Sequence, residues 1–143
     1  MKGISLFSSA GIAETYFSEC GIEIVGASEL LQKRADLHKW LYPKCEMVCG
    51  DITVEENFRK IKEITDKNDC KFLLATPPCQ GMSSLGKKDY SNDKRNYLIF
   101  YAMDLIDSSD CHKIFIIALV LYFKYTFVLI IQNLFSYSKI KSY

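Results

Sequence analysis

An α/β fold, with a parallel sheet flanked by helices, is what this sequence predicts, on three observations. Short apolar runs such as Phe72-Leu73-Leu74-Ala75 have strand length and no polar alternation, as strands buried on both faces do. Between such runs lie segments with helical spacing, for example Phe58, Ile61 and Ile64. The two signals alternate from residue 3 to about residue 117, and that order implies right-handed crossovers and a Rossmann-like plan.

The elements follow in order. Residues 3–7 read as a first strand and residues 8–11 as its turn, with a helix over 12–20 that Gly21 is placed to end. A second strand covers 23–28, and a helix over 31–42 stops at Pro43. A short strand at 46–49 leads into Gly50-Asp51-Ile52, followed by a helix over 54–65. After the strand at 72–75 comes a polar loop to about residue 93, a helix over 96–108 and a strand starting near Lys113. Residues 114–131 break this pattern, being almost wholly apolar apart from Lys124, Tyr125 and Thr126. The reading is therefore one domain over 1–117 and an apolar tail of different character over 118–143.

The bulk properties exclude little but orient the search. A chain of 143 residues can bury one core, and a net charge of +1 sets up no global attraction to nucleic acid or membrane. A local basic groove remains compatible with that balance. The six cysteines form no CxxC pair and no metal-ligand spacing, so no metal is expected and Cys45 and Cys49 read as reduced, structural thiols. No leader-like segment precedes Ile4, and the expected setting is reducing and cytoplasmic.

Four places can carry chemistry. Phe7-Ser8-Ser9-Ala10-Gly11 is a turn of mostly small residues between a strand and a helix, where a ligand can approach the backbone; a plain tight turn reads equally well. Glu29 closes the second strand, where Rossmann-like folds hold a ribose hydroxyl; alone it would read as a solvated glutamate. Asp51 can accept from an adenine amino group, cap the next helix, or do both. In Pro77-Pro78-Cys79-Gln80, two prolines fix the backbone ahead of a cysteine on the loop rim of a buried strand. A cysteine nucleophile beside a nucleoside cofactor is the hypothesis these residues raise together.

With these residues in view, the chain resembles the C5-cytosine DNA methyltransferases. Ser5-Leu6-Phe7-Ser8-Ser9-Ala10-Gly11 is similar to that family's first motif, and Pro77-Pro78-Cys79-Gln80-Gly81-Met82-Ser83 to its catalytic-cysteine motif. Gly50-Asp51-Ile52 falls where the family contacts adenine, and Asp93, Arg95 and Asn96 resemble the polar cluster after the catalytic loop. The resemblance implies S-adenosylmethionine as cofactor, held by Phe7, Ser8, Ala10, Gly11, Ile12, Glu29, Asp51, Ile52 and Pro78. It implies Cys79 as the nucleophile toward C6 of a cytosine flipped out of double-stranded DNA. Gln80, Ser83, Lys87 and Lys88 are candidates for the DNA backbone, with loop solubility as the plain alternative.

The chain departs from the family in having Ser5 for the usual aspartate, Ser9 for the first glycine and Ile12 for the last. Where the family has Glu-Asn-Val, this chain runs Ile117-Ala118-Leu119, and no glutamate follows Glu63. The later arginine motif, the target-recognition domain and the C-terminal helix have no counterpart, so the 143-residue chain alone is expected to be inactive or nearly so. A frameshift near residues 111–117 accounts for the switch inside a strand. A membrane segment is disfavoured, because residues 114–131 as a helix reach only about 27 Å and Lys124 would cost about 2.5–3.5 kcal/mol at mid-bilayer. Further readings are one subunit of a split enzyme completed by a C-terminal polypeptide, a non-catalytic cofactor-binding module, and an RNA cytosine methyltransferase.

Overall fold

A computed structural model describes residues 1–78 and 93–109, and the backbone alone of residues 113–116, 119–122 and 125–128. Five strands form one parallel sheet: β1 (Lys2–Leu6), β2 (Glu23–Glu29), β3 (Glu46–Cys49), β4 (Phe72–Ala75) and β5 (Lys113–Ile116). Their order is β3-β2-β1-β4-β5. At the carboxyl edge the register aligns Leu6 with Ser28 and Ala75, Ser28 with Val48, and Ala75 with Ile116. The direction in which the sheet grows reverses between β1 and β4. Loops leaving these two strands diverge and open a crevice at that point.

The alternation of side chains along β1 and β4 divides the interior into two layers. Ile4, Leu6, Leu73 and Ala75 are fully buried with Ile61 and Ile64 of α2 (Glu55–Lys67) and Ala102 and Leu105 of α3 (Ile99–Ser108). Phe72 points to the opposite face, where Phe17 meets it edge-on with ring centroids 5.2 Å apart. On the sheet's β2–β3 side packs α1 (Gln32–Leu41), which buries only Ala35 and His38.

Helix α2 forms because its apolar residues share one stripe while its outer face carries i,i+4 ion pairs. These are Glu56–Lys60, Arg59–Glu63 and Lys62–Asp66, each within 3.0 Å and each a small, solvent-screened contribution to the helix. It ends where Asp69 takes a left-handed φ of 51° and the Cys70 N–H bonds back to the Thr65 carbonyl at 3.0 Å.

Residues 12–20, expected to be a helix, are instead a 3₁₀ turn (Ile12–Glu14) continued by further turns. The N–H groups of Glu14, Phe17 and Cys20 bond three residues back, to Gly11, Glu14 and Phe17. The physical reason is which side chains must face inward. A threefold winding stacks Gly11, Glu14 and Phe17 on one side, and these are the inward residues of the run, whereas Ile12, Tyr16 and Cys20 are exposed. The Thr15 hydroxyl adds a 2.8 Å bond to the Ile12 carbonyl, which favours the tight turn further.

The helix expected over 96–108 is likewise split, into a 3₁₀ turn over Lys94–Tyr97 and α3. The remaining boundaries fall within two residues of the expected ones. Beyond β5, Leu119–Tyr122 and Tyr125–Val128 pair antiparallel as β6 and β7, in a sheet separate from the main one. The apolar stretch therefore contains extended backbone. Among the described residues no helix is long and apolar enough to cross a membrane.

Candidate active site

The loops that follow β1, β2, β3 and β4 leave the same edge of the sheet and surround a cavity of about 460 Å³. That is the size of small-molecule sites in general, and its place at the reversal of strand order is where open α/β sheets bind ligands.

Phe7, directly after β1, has φ 60° and Ser9 has φ 54°, both left-handed. A bulky residue in that region is strained by roughly 1–3 kcal/mol, so neighbouring bonds must hold it. They do: Ser8 N–H and Oγ donate to the Ser28 carbonyl at 2.9 and 3.2 Å, and Thr76 Oγ1 donates to the Phe7 carbonyl at 2.8 Å. The result turns Phe7 onto the cavity wall.

Glu29 closes β2 and is buried, with both carboxylate oxygens engaged. Oε2 accepts the Ser9 N–H and Oε1 the Leu31 N–H, each at 2.9 Å. Every carboxylate oxygen has a second lone pair, so the group is oriented by the backbone and retains acceptor capacity toward the cavity. After β3, Gly50 has φ 145°, and a Cβ there would lie 2.6 Å from Asn57 Nδ2. Only glycine makes this turn comfortably, and it brings Asp51 and Ile52 to the wall. Asp51 Oδ1 accepts the Thr53 N–H at 2.9 Å and so caps its own turn rather than α2, whose preceding residue is Val54.

The loop after β4 is tied to the loop after β1, since the Thr76 N–H bonds to the Leu6 carbonyl at 3.1 Å. Pro78 lines the cavity. Cys79, the next residue in the chain, lies outside the described residues, as do Gln80, Ser83, Lys87 and Lys88. Arg95 and Leu98 complete the wall. Asp93 holds the exposed Arg95 through a 2.6 Å ion pair, and that guanidinium keeps the half-buried Asp93 carboxyl below the usual carboxylate range.

Of the residues expected to hold a cofactor, the structure brings Phe7, Glu29, Asp51, Ile52 and Pro78 together around the cavity. Ser8, Ala10, Gly11 and Ile12 do not line it. Ser8 is turned inward, and Ile12 is 80% exposed on the outer surface. Sequence reasoning named Ser9 only as part of the turn and passed over Thr76, Leu30, Leu31, Arg34 and Leu98, all of which line the cavity with it. For Thr76 the signal was present, since it directly follows a buried strand. Leu30 and Leu31 are 60% and 49% exposed at the rim, and two leucines at a strand–helix joint are no mark of a site by themselves.

Behind the β1 loop lies a buried hydrogen-bonded pair, Glu14 Oε2 and His38 Nε2 at 2.9 Å, with side chains 2% and 0% exposed. The described cysteines are all free thiols. Burial first, and then the nearby Glu14 carboxylate, push the Cys45 thiol up to about 12, so it stays protonated at neutral pH.

The sequence model for C-5 cytosine-specific DNA methylases matches residues 1–117. The chain belongs to this family. Among curated relatives, the type II methyltransferase M1.HgaI of Avibacterium volantium is 50% identical over 110 residues, covering 74% of this chain and 31% of its own length. M.XorII of Xanthomonas oryzae pv. oryzae is 34% identical over 107 residues, covering 73% of this chain and 24% of its own. The chain thus spans about a third or less of the relatives it matches. A protein described as a DNA modification methyltransferase encoded within an E. coli prophage shares the fold, with TM-score 0.65, 22% identity, and coverage of 84% of this chain and 32% of its own. A Spodoptera frugiperda DNMT2 variant does so with TM-score 0.57, 22% identity, and coverage of 82% and 35%.

Proposed function

We propose that this chain is the cofactor-binding, nucleophile-bearing part of a type II DNA (cytosine-5)-methyltransferase. The observation that carries the reading is the cavity at the strand-order reversal, with Glu29 on one side and Pro78, the neighbour of Cys79, on the other. The cavity fits S-adenosylmethionine. Its volume suits a nucleoside, the Phe7, Ile52 and Leu98 side chains give it apolar wall, and Glu29 offers oriented lone pairs to ribose hydroxyls. Asp51 and Ile52 would hold the adenine, while Ser8, Ala10, Gly11 and Ile12 would act through the loop's shape. When bound, the cofactor supplies an electrophilic methyl group.

The Cys79 thiolate adds to C6 of a flipped cytosine, and the electron pair of the 5,6 double bond makes C5 nucleophilic. After C5 has gained its methyl, loss of the C5 proton re-forms the double bond and expels the Cys79 sulfur. The family glutamate that assists these proton movements has no counterpart after Glu63, and such assistance is worth about 10²–10⁴ in rate. The family match ends at residue 117, which supports a domain boundary there and a change of reading frame in the gene. The glutamate segment and the DNA-recognition part then come from a further stretch of sequence or a separate polypeptide, and the reaction takes place in the cytoplasm.

The test is tritiated methyl transfer to double-stranded DNA. The chain alone should give near-background counts, and adding a polypeptide with the downstream family region should restore them. Cys79→Ser should abolish the restored activity. Retained transfer by the serine variant, or robust transfer by the chain alone, contradicts the reading.

A further inference from the structure

We infer that Tyr42, backed by the Glu14–His38 pair, positions the cofactor loop from behind. The inference rests on the cofactor reading of the cavity. Tyr42 caps the end of α1, on the far side of the β1 loop from the cavity, and its hydroxyl donates to the Gly11 carbonyl at 2.9 Å. Gly11 in turn donates its N–H to the Ser8 carbonyl at 2.9 Å, and Ser9, between them, donates to Glu29. One hydroxyl thus closes a chain of bonds that ends on the carboxylate facing the cavity.

The fit behind the loop is tight as well as polar. Gly11 has φ 79°, and a Cβ there would lie 2.3 Å from the Tyr42 ring and 3.0 Å from the His38 ring. Those two rings are in contact, with centroids 4.9 Å apart, and His38 is fixed in turn by Glu14 of the 3₁₀ turn that Gly11 begins. Since a carboxylate only accepts, His38 Nε2 is the donor in that pair. Glu14 Oε1 and His38 Nδ1 have no partner among the described residues, so this bond is the one described polar tie each side chain makes. The loop therefore lies between two anchors, Glu29 in front and the Tyr42–His38 wall behind. Loosening the rear anchor should let Ser9 leave Glu29, although Tyr42 itself never touches the cavity.

The experiment is amide hydrogen exchange on the full chain, paired with calorimetric titration by S-adenosylhomocysteine. In Tyr42→Phe the Ser9 and Gly11 amides should exchange about five- to tenfold faster, and affinity should fall by a similar factor, the worth of one partly buried hydrogen bond. The β4 amides should exchange no faster relative to the other core strands than in wild type, and the melting temperature should fall by no more than about 4 °C, whereas a merely structural role would speed exchange across the sheet and not at the loop alone. His38→Ala should loosen the same amides, and His38→Gln, which keeps an N–H for Glu14, should recover most of the protection. Should Tyr42→Phe fail to fold, the His38 pair decides. Unchanged loop exchange, or faster exchange with unchanged affinity, overturns the inference. If wild type does not bind the probe at all, the cofactor reading fails, and the exchange arm alone decides whether the rear anchor holds the loop.

Discussion

Glu29 shows how one carboxylate serves both the fold and the ligand. Two backbone N–H groups hold it, and its remaining lone pairs face the cavity. Glu14 is held differently, by a single buried imidazole, so Glu14→Ala leaves His38 without its described partner. That change should cost about 1–3 kcal/mol, the penalty of leaving a buried polar group unpaired, measured by urea unfolding. Cys45 adds a pH dependence. Its thiol is raised from 9.0 to about 12 in the folded chain, so the folded state holds the proton more tightly than the unfolded state does. This contribution is fully present below pH 9 and is lost as pH rises from there toward 12. Unfolding followed across that window should show a smaller decline in Cys45→Val than in wild type. An equal decline in both would place the titration elsewhere.

At the scale of elements, what was legible in the sequence depended on periodicity. The strand at Phe72–Ala75 and the stripe of α2 are fixed by local apolar patterns, and both were readable. The run after Gly11 was not, because its threefold winding is set by three long-range contacts. Glu14 must reach His38, Phe17 must reach Phe72, and Gly11 must lie under Tyr42. None of these leaves a local signature. The site divided in the same way: Glu29 and Asp51 were visible from their strand-end positions, whereas Leu98 reaches the cavity only through folding. Gly50 sets another element-scale expectation. Gly50→Ala would force a side chain into a φ of 145° and against Asn57, shifting the turn that carries Asp51 and Ile52. A loss of about 1–3 kcal/mol in stability, with weaker S-adenosylhomocysteine binding, is the expected outcome.

At the scale of the whole molecule, the five-stranded sheet closes without β6 and β7. A chain ending after Ile117 keeps every strand of the sheet and every residue of the family match. Its melting temperature should stay within about 4 °C of the full chain, a shift matching about 1 kcal/mol for a domain of this size. A much larger drop would show that the tail packs on the sheet as part of the domain.

If the cavity beneath Phe7 and Glu29 holds the cofactor, calorimetry with S-adenosylhomocysteine on wild type and Glu29→Gln will register it. Wild type should show one binding site per chain. In the variant, affinity should be about ten- to a hundredfold weaker, as for loss of a charged hydrogen-bond acceptor. The melting temperature should fall as well, because the amide NH2 cannot accept one of the two backbone N–H bonds, so both proteins are titrated well below their melting temperatures. Equal affinity in the two proteins, or no binding to a folded wild-type chain, would contradict the cofactor reading.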